Sequence, residues 1–356
     1  MDGLKAGDNH LIKEESDSGI PDDMVTVPDL NLTQSVSKDG AEESNERRYD
    51  LSRTEDIMAL VSTKNDILIK NKIENHIWSI IGKEKDIFEK NNCLFLFDEA
   101  NSITRVHAER IYSALLSFKE KKDIILFLKS KGGSPEPAYL ISRLCNKFKK
   151  KKFIVSVPAE AKSAATLLSF GADEIHMGPM SELGPIDIQV DGIPLLSVSS
   201  ALKKIASIVQ EYPKSSAMFS DYLTKNLSIS HIGYYDRVTE SAVQYAQILL
   251  AGKHDDNTKT VGEIANHFTN HYKDHGFVID VDESKSILGS YMVKDNTNVY
   301  NIGSRILSFI NSVEFAFLLS GVQKKIVLVG AGCEILLDNS NKDEILLRNV
   351  RGMSQK

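Results

Sequence analysis

The chain has 356 residues, a hydrophobic fraction of 42% and a formal net charge of -6. This composition is typical of a globular chain with a packed core, and it excludes a fibrous protein. The acidic balance argues against a protein that binds nucleic acid mainly by charge, because such domains are basic.

Cysteine usage and apolar patterning narrow the class further. Cys93, Cys145 and Cys333 are far apart and form no CxxC pair, so we predict neither a disulfide framework nor a zinc site. The first residues lack the charged start and apolar stretch of a secretory signal. We find no apolar run that approaches the length of a membrane span, and we therefore expect a cytoplasmic protein.

The first quarter of the chain divides into two segments. Residues 1–49 are rich in Asp, Glu, Ser, Asn and Gly, and such a segment buries too little apolar surface to fold, so we predict a disordered tail. Residues 50–92 have apolar side chains at helical spacing, which predicts one or two amphipathic helices. We interpret this helical extension as a candidate surface for packing on a neighbouring subunit.

From residue 93 onward, short apolar runs alternate with segments of helical periodicity. The runs are rich in β-branched and aromatic residues and predict strands at residues 93–97, 124–128, 153–157 and 174–177. Predicted helices lie at residues 106–118, 136–148, 162–170, 201–209, 237–250, 283–288 and 302–319, and a last strand lies at residues 325–330. Repeated β-α units imply a largely parallel sheet with right-handed crossovers.

Two neighbouring strand ends carry residues suited to catalysis. Ser163 lies between the strand at 153–157 and the helix at 162–170, which places its hydroxyl at the edge where open α/β sheets bind ligands. Gly132 and Gly133 follow the preceding strand, and paired glycines let backbone N–H groups turn toward a ligand oxygen. The chain thus presents a candidate nucleophile and a candidate oxyanion hole. A structural N-cap is the alternative interpretation of Ser163.

His267, His271 and His275 recur at intervals of four residues. On one helix they would share a face, as metal ligands do, but neither an HExxH motif nor an acidic ligand set accompanies them. Gly276 predicts that the helix ends at His275, which would angle this side chain away from the other two. We predict no metal site and no cofactor.

Four segments together resemble a known family: SKGGS at residues 130–134, AKSAATL at 161–167, GADEIHMGPMSELGPID at 171–187 and DHGFVID at 274–280. The chain resembles the Clp protease and crotonase superfamily, and most closely its serine dehydrogenase proteinase family, which is related to signal peptide peptidase A. The resemblance covers residues 93–293 and implies an α/β domain in which β-β-α units wind into a spiral with a mostly parallel sheet. Residues 294–356 would form a helical and strand extension with a loose tail.

The resemblance also implies roles for individual residues. Ser163 would be the nucleophile, His275 the base, and Asp187 the residue that orients the base. The oxyanion would bind the backbone N–H groups of Gly133, Ser134 and Ala164. One departure is Lys131, which stands where the family pattern usually has a proline before its glycines.

A second candidate base stays open. Lys203 or Lys204, in the predicted helix at 201–209, would form a Ser-Lys dyad of the kind that the signal peptide peptidase A group suggests. Burial would have to lower the pKa of such a lysine before it could accept a proton near neutral pH. Lys162 is expected to point away from Ser163 and to be a flanking residue.

The sequence therefore predicts an ATP-independent serine peptidase that acts on peptide or protein substrates. The chain contains no GxxxxGK[ST] phosphate-binding loop. The resemblance further implies a homo-oligomer, and we expect neither a nucleic-acid partner nor a membrane span. Two alternatives remain: an inactive interaction scaffold with the same fold, and a crotonase-type enzyme that acts on an acyl thioester.

Overall fold

The structure is a computed structural model, and it describes residues 48–187, 189–190, 193–227, 229–253 and 259–337. The predicted disordered tail lies outside the described residues, apart from Arg48 and Tyr49. The predicted loose C-terminal tail, beyond residue 337, also lies outside them.

The described chain is built around one large sheet. Its strands and a separate two-stranded pair are β1 (Asn91–Asp98), β2 (Asp123–Ser130), β3 (Phe153–Ser156), β4 (Glu160–Ala161), β5 (Glu174–Met177), β6 (Glu182–Leu183), β7 (Gln189–Val190), β8 (Ile193–Pro194), β9 (Val293–Asp295), β10 (Lys324–Gly330) and β11 (Gly332–Leu337). The main sheet has the order β11-β10-β1-β2-β3-β5-β9, with β4 and β6 beside that path.

Five consecutive strands of the path are parallel. β1, β2, β3, β5 and β9 pair in parallel, whereas β10 runs antiparallel to β1 and β11 runs antiparallel to β10. Parallel strands are nearly continuous apolar runs because helices cover both faces of the sheet. The predicted mixed α/β fold with a mostly parallel sheet is confirmed.

A second row of short pairings follows the long strands. The pairings join Ile103 with Gly133, Ser130 at the end of β2 with Ala161, Ala161 with Leu183, and Leu183 with Ile279, which precedes α11. A long strand, a short paired segment and a helix therefore repeat along the chain. This is the β-β-α arrangement that the family resemblance implies, and it brings the starts of successive helices together at one edge.

Twelve α-helices lie within the described residues. They are α1 (Thr54–Ser62), α2 (Asp66–Gly82), α3 (Lys85–Lys90), α4 (Arg105–Ser117), α5 (Pro135–Phe148), α6 (Ala164–Ser169), α7 (Leu195–Glu211), α8 (Ser216–Asn226), α9 (Ile229–Leu250), α10 (Val261–Asn266), α11 (Val281–Leu288) and α12 (Asn298–Leu319). Side-chain caps begin several of them; Thr297, for example, accepts a hydrogen bond from the N–H of Tyr300 at the start of α12.

The sheet separates two apolar cores. Because side chains alternate along a strand, Leu94 and Leu96 of β1 pack against α4, α5 and α6, whereas Phe95 and Phe97 pack against α1, α2 and α12. Phe95 stacks on Phe127 of β2 in the second core, with ring centroids 5.6 Å apart. Both faces of the central strands are therefore covered.

The N-terminal helices complete the second core within the same chain. Ile69, Ile73, Ile77 and Ile81 recur every fourth residue along α2, and all four are buried. The sequence indicates these helices correctly, and packing on a neighbouring subunit stays a prediction for their other faces. The apolar stripe covers the chain's own sheet.

α12 is the helix of the described chain whose length and composition would allow it to cross a membrane. It has 22 residues and a mean hydropathy of 1.4 over its most apolar window, half of which is buried inside the protein. The expectation that no apolar run approaches the length of a span is therefore wrong as to length. Ile302, Ile306 and Ile310 of α12 pack against the sheet, and this packing requires an apolar face.

Candidate active site

A cavity of about 530 Å³ opens where the glycine loop after β2 meets the start of α6. It lies at the carboxyl ends of parallel strands, the edge where α/β sheets place their binding sites. Its lining includes every residue of the predicted triad and oxyanion hole: Gly133, Ser134, Ser163, Ala164, Asp187 and His275.

Ser163 has an unusual backbone conformation. Its φ is +51° and its ψ is -118°, a combination that a residue with a β-carbon rarely adopts. Such strain costs on the order of 1–3 kcal/mol and persists only where the surroundings enforce it. The hydrogen bonds from Lys162 N–H to Ser130 O and from Thr166 Oγ1 to Ala161 O fix the chain on either side. α6 consequently begins at Ala164, two residues later than the sequence predicts.

The glycine loop packs directly on this strained turn. Gly132 and Gly133 have φ values of +103° and +150°. A Cβ at Gly132 would lie 2.7 Å from Lys162 O, and one at Gly133 would lie 2.2 Å from Ile103 N. Both close approach and positive φ therefore require glycine here.

Two backbone N–H groups of residues that line the cavity have no acceptor in the part of the chain that the structure describes. They belong to Gly133 and to Ala164. The third predicted donor is different, because the N–H of Ser134 donates to Ile103 O at 3.0 Å. The prediction that Ser134 supplies an oxyanion N–H is therefore corrected: the bridge between Ile103 and Gly133 already uses it.

Asp187 and His275 are hydrogen-bonded through Asp187 Oδ1 and His275 Nδ1. The Asp187 side chain is 7% exposed and the imidazole 31% exposed, so the carboxylate is the buried member. This hydrogen bond raises the pKa of His275 above its ordinary value, against the opposing effect of burial. When Nδ1 donates to Asp187, Nε2 of the neutral ring is left as an acceptor toward the cavity.

Tertiary contacts bring these two residues together across 88 positions of sequence. The N–H of Ile186 donates to Phe268 O at 2.8 Å, and Leu183 exchanges two backbone hydrogen bonds with Ile279. The segment before Asp187 is thus paired with the segments on both sides of His275. Ser163 and His275 share the cavity, and among the described residues no direct hydrogen bond joins them.

The lysines considered as alternative bases do not reach the site. Lys203 and Lys204 are exposed on α7, and neither contributes to the cavity lining. A Ser-Lys dyad needs a desolvated ammonium beside the nucleophile, and neither lysine is buried or lines the cavity. Lys162 does not line the cavity either, and its Nζ lies 3.0 Å from Glu182 Oε2.

The three regularly spaced histidines separate. His267 and His271 stack at 4.2 Å between ring centroids on a π-helical turn, His267–His271, that follows α10. His275 lies beyond this turn and contacts Asp187 instead. The described residues contain no group of three or more His, Cys, Asp or Glu side chains arranged to hold a metal ion.

Sequence reasoning missed the loop after β1. Glu99, Asn101 and Ser102 line the cavity, and their position after a strand end of the parallel sheet was the available signal. Asp98 shapes this loop by accepting hydrogen bonds from the N–H groups of Ala100 and Asn101. Burial acts to raise the pKa of Asp98, but hydrogen bonds from His107 and Asn101 outweigh burial and hold the pKa below its ordinary value.

Comparison with known proteins gives limited similarity. No family model matches the chain. The uncharacterized protein MJ1495 of Methanocaldococcus jannaschii is 28% identical over 197 residues, which are 55% of this chain and 60% of that protein. The chain thus spans about three fifths of that relative's length.

Two similar solved structures are of the 1510-N membrane-bound stomatin-specific protease. A serine-to-alanine mutant has a TM-score of 0.37 and 15% identity, covering 62% of this chain and 86% of that one. A lysine-to-alanine mutant in complex with a substrate peptide has a TM-score of 0.35 and 15% identity, covering 58% of this chain and 76% of that one. Similarity at this level does not assign the chain to a family.

Proposed function

We propose that the chain is a serine peptidase that cleaves peptides through an acyl-enzyme. One observation carries the proposal: a strained serine shares a cavity with a hydrogen-bonded Asp–His pair and with two backbone N–H groups that have no acceptor among the described residues. Ser163, Asp187 and His275 provide the three side chains, and Gly133 and Ala164 provide the N–H groups.

The proposed reaction begins with proton transfer. His275 Nε2 accepts the proton of Ser163 as its Oγ attacks the carbonyl carbon of the peptide bond. The carbonyl oxygen becomes negatively charged and accepts hydrogen bonds from the backbone N–H groups of Gly133 and Ala164. The intermediate collapses when the C–N bond breaks and the leaving amine takes the proton from His275. Water then attacks the acyl group with His275 again as base, which releases the acid and regenerates Ser163.

Asp187 supports this cycle electrostatically. Its carboxylate accepts the Nδ1–H of His275, which selects the tautomer that leaves Nε2 free to accept a proton. The same carboxylate stabilises the imidazolium that forms after proton transfer, and its burial strengthens the interaction by excluding water. The pair therefore both orients the base and increases its affinity for the proton.

The first test is covalent labelling with a fluorophosphonate, read out as the intact mass of the full chain. We expect one adduct on the wild type, no adduct on Ser163→Ala and strongly reduced labelling of His275→Ala. Lys204→Ala should label like the wild type, because this lysine lies outside the cavity.

A folded wild type that takes no adduct would contradict the peptidase proposal. An interaction scaffold would bind partners without Ser163 chemistry. A crotonase-type enzyme would turn over acyl thioesters equally well with Ser163→Ala, because backbone N–H groups alone hold an enolate oxygen. Measuring acyl thioester turnover by the wild type and by Ser163→Ala distinguishes the scaffold from the thioester enzyme.

Peptide or protein substrates and a homo-oligomeric state belong to the same proposal. Light scattering coupled to size exclusion, run on the full chain over a tenfold range of concentration, tests the oligomer. A mass of about 39.6 kDa at every concentration would show a monomer.

A further inference from the structure

Lys162, the residue before Ser163, has an almost fully buried ammonium group. Its side chain is 10% exposed, and Nζ lies 3.0 Å from Glu182 Oε2. Nζ also donates to Leu183 O at 3.4 Å and to Phe277 O at 3.2 Å. An ammonium has three N–H donors, so this set of one carboxylate and two carbonyl oxygens matches its capacity.

These contacts join three segments that carry the candidate catalytic residues. Lys162 belongs to the Ser163 turn, Glu182 and Leu183 belong to the segment that leads to Asp187, and Phe277 ends the turn that carries His275. The aliphatic part of the Lys162 side chain packs closely against the backbone at Gly184. A Cβ at Gly184 would lie 2.5 Å from Lys162 Cδ, so glycine at this position leaves room for the stem.

The turn at residues 274–277 has few other attachments. Two of its hydrogen bonds are internal, from the N–H groups of Gly276 and Phe277 to Asp274. Phe277 is 42% exposed and Val278 55%, and the Phe277 ring packs on Tyr272 with centroids 4.6 Å apart. In the part of the chain that the structure describes, the backbone of this turn accepts a hydrogen bond from a side chain outside the turn at Phe277 O, and the donor is Lys162 Nζ.

We propose that Lys162 is a positioning residue that holds the His275 turn where the imidazole meets Asp187. It acts through the backbone of Phe277 and through the segment before Asp187, and it does not touch the reacting atoms. The inference deepens the proposed function, because it concerns the same base. Its principal readout is His275 itself, which makes it testable separately from catalysis.

Removing the ammonium has two effects of opposite sign on His275. The hydrogen bond to Asp187 raises the pKa of His275, and the positive charge of Lys162 lowers it. Asp274, the other charged group beside the imidazole, also raises it. If Lys162 holds the turn, its loss breaks the Asp187 contact and the pKa falls. If Lys162 acts only through its charge, its loss makes the pKa rise.

The experiment is an NMR titration of the full chain labelled with ¹³C-histidine, with the His275 resonance assigned from His275→Gln. We expect Lys162→Met to lower the pKa of His275 by roughly half a unit or more, toward the ordinary value. Lys162→Arg should keep the pKa raised, because a guanidinium offers donors to the same carbonyl oxygens. The double variant Lys162→Met, Glu182→Gln should behave like Lys162→Met and avoids leaving Glu182 without its cation.

Lys285→Met is the matched control, since Lys285 is ion-paired with Asp295 at 3.1 Å outside the cavity. It should leave the pKa of His275 unchanged. An unchanged or increased pKa of His275 in both Lys162→Met and the double variant would overturn the positioning role. Fluorophosphonate labelling of the same proteins tests the proposed function separately. A Lys162-dependent pKa in a protein that takes no label would retain the positioning role and reject the peptidase.

Discussion

Ser163 combines a half-buried position in the cavity lining with a backbone conformation that only its surroundings can maintain. An N-cap serine needs no positive φ, and the Ser163 side chain makes no capping hydrogen bond to α6. The alternative interpretation of Ser163 as a structural N-cap therefore lacks the capping hydrogen bond that defines such a residue. At the scale of single residues, the strained Ser163, the buried Asp187 and its hydrogen-bonded partner His275 all line the same cavity.

The pH dependence of labelling tests the base. The labelling rate of the wild type should rise with pH through the pKa of His275, which the hydrogen bond to Asp187 raises above its ordinary value, because only the neutral imidazole accepts a proton. Asp187→Asn removes the hydrogen bond that raises this pKa, so the midpoint should move to lower pH. The maximal rate should fall on the order of 10³–10⁴-fold, because the asparagine no longer selects the productive tautomer.

The measurement is the pseudo-first-order rate of adduct formation between pH 5 and 9. Asp282→Asn, which changes an exposed carboxylate at the start of α11, is the control and should leave the curve in place. A midpoint that does not move in Asp187→Asn would show that His275 is not the group whose ionisation limits labelling.

Gly133→Ala tests the oxyanion hole. The added methyl would lie 2.2 Å from Ile103 N, so the loop must shift and withdraw the Gly133 N–H. Loss of one oxyanion donor reduces the rate by about 10²–10³-fold, and we expect labelling to slow by a similar factor. Gly82→Ala is the matched control, because nothing lies within 4 Å of its added Cβ. Wild-type labelling of a folded Gly133→Ala protein would exclude this N–H from the site.

At the scale of elements, α2 contributes to the stability of the fold through one apolar stripe. Ile73 is 0% exposed, whereas Ile67 on the same helix is 75% exposed. Ile73→Ala should lower the free energy of unfolding by about 2–5 kcal/mol, because it leaves a cavity between α2 and its packing partners. Ile67→Ala should change it by less than about 0.5 kcal/mol. Urea denaturation of the two variants checks the contrast, and equal effects would contradict the described packing.

At the scale of the whole molecule, the central strands couple the two cores. β1 contributes Leu94 and Leu96 to one core and Phe95 and Phe97 to the other. Loss of either core exposes one face of the same strands. The N-terminal helices and the strand that ends the described chain therefore share their stability with the β-β-α units.

Trp78 makes this coupling measurable. It is the single tryptophan of the chain, it lies on α2, and its ring contacts Phe95 with centroids 5.7 Å apart. Tryptophan fluorescence reports on the helical face, and far-UV circular dichroism reports on all elements. We expect coincident urea transitions by the two probes. An earlier fluorescence transition would instead show that residues 50–92 unfold as a separate unit.

Much of the fold follows from local patterns of sequence. The apolar runs at residues 93–97 and 124–128 predict β1 and β2, and the observed strands extend them by a few residues at their ends. The isoleucines of α2 indicate a buried stripe, but no local pattern states which surface the stripe covers. The sequence of α12 does not look like a long apolar run, because Asn, Ser and Glu interrupt it. The helix is nevertheless apolar overall, and half of its most apolar window is buried in the core.

By itself, the sequence determined the alternation of strands and helices, the strand-to-helix junction at Ser163 and the need for glycine at residues 132 and 133. These depend on periodicity and on backbone conformation, which are local properties. Only the tertiary structure decided that Ser134 N–H is already bonded, that Lys203 and Lys204 lie outside the cavity, and that Lys162 reaches Phe277. Such contacts join residues far apart in the chain, and their geometry is set by how the units pack on one another.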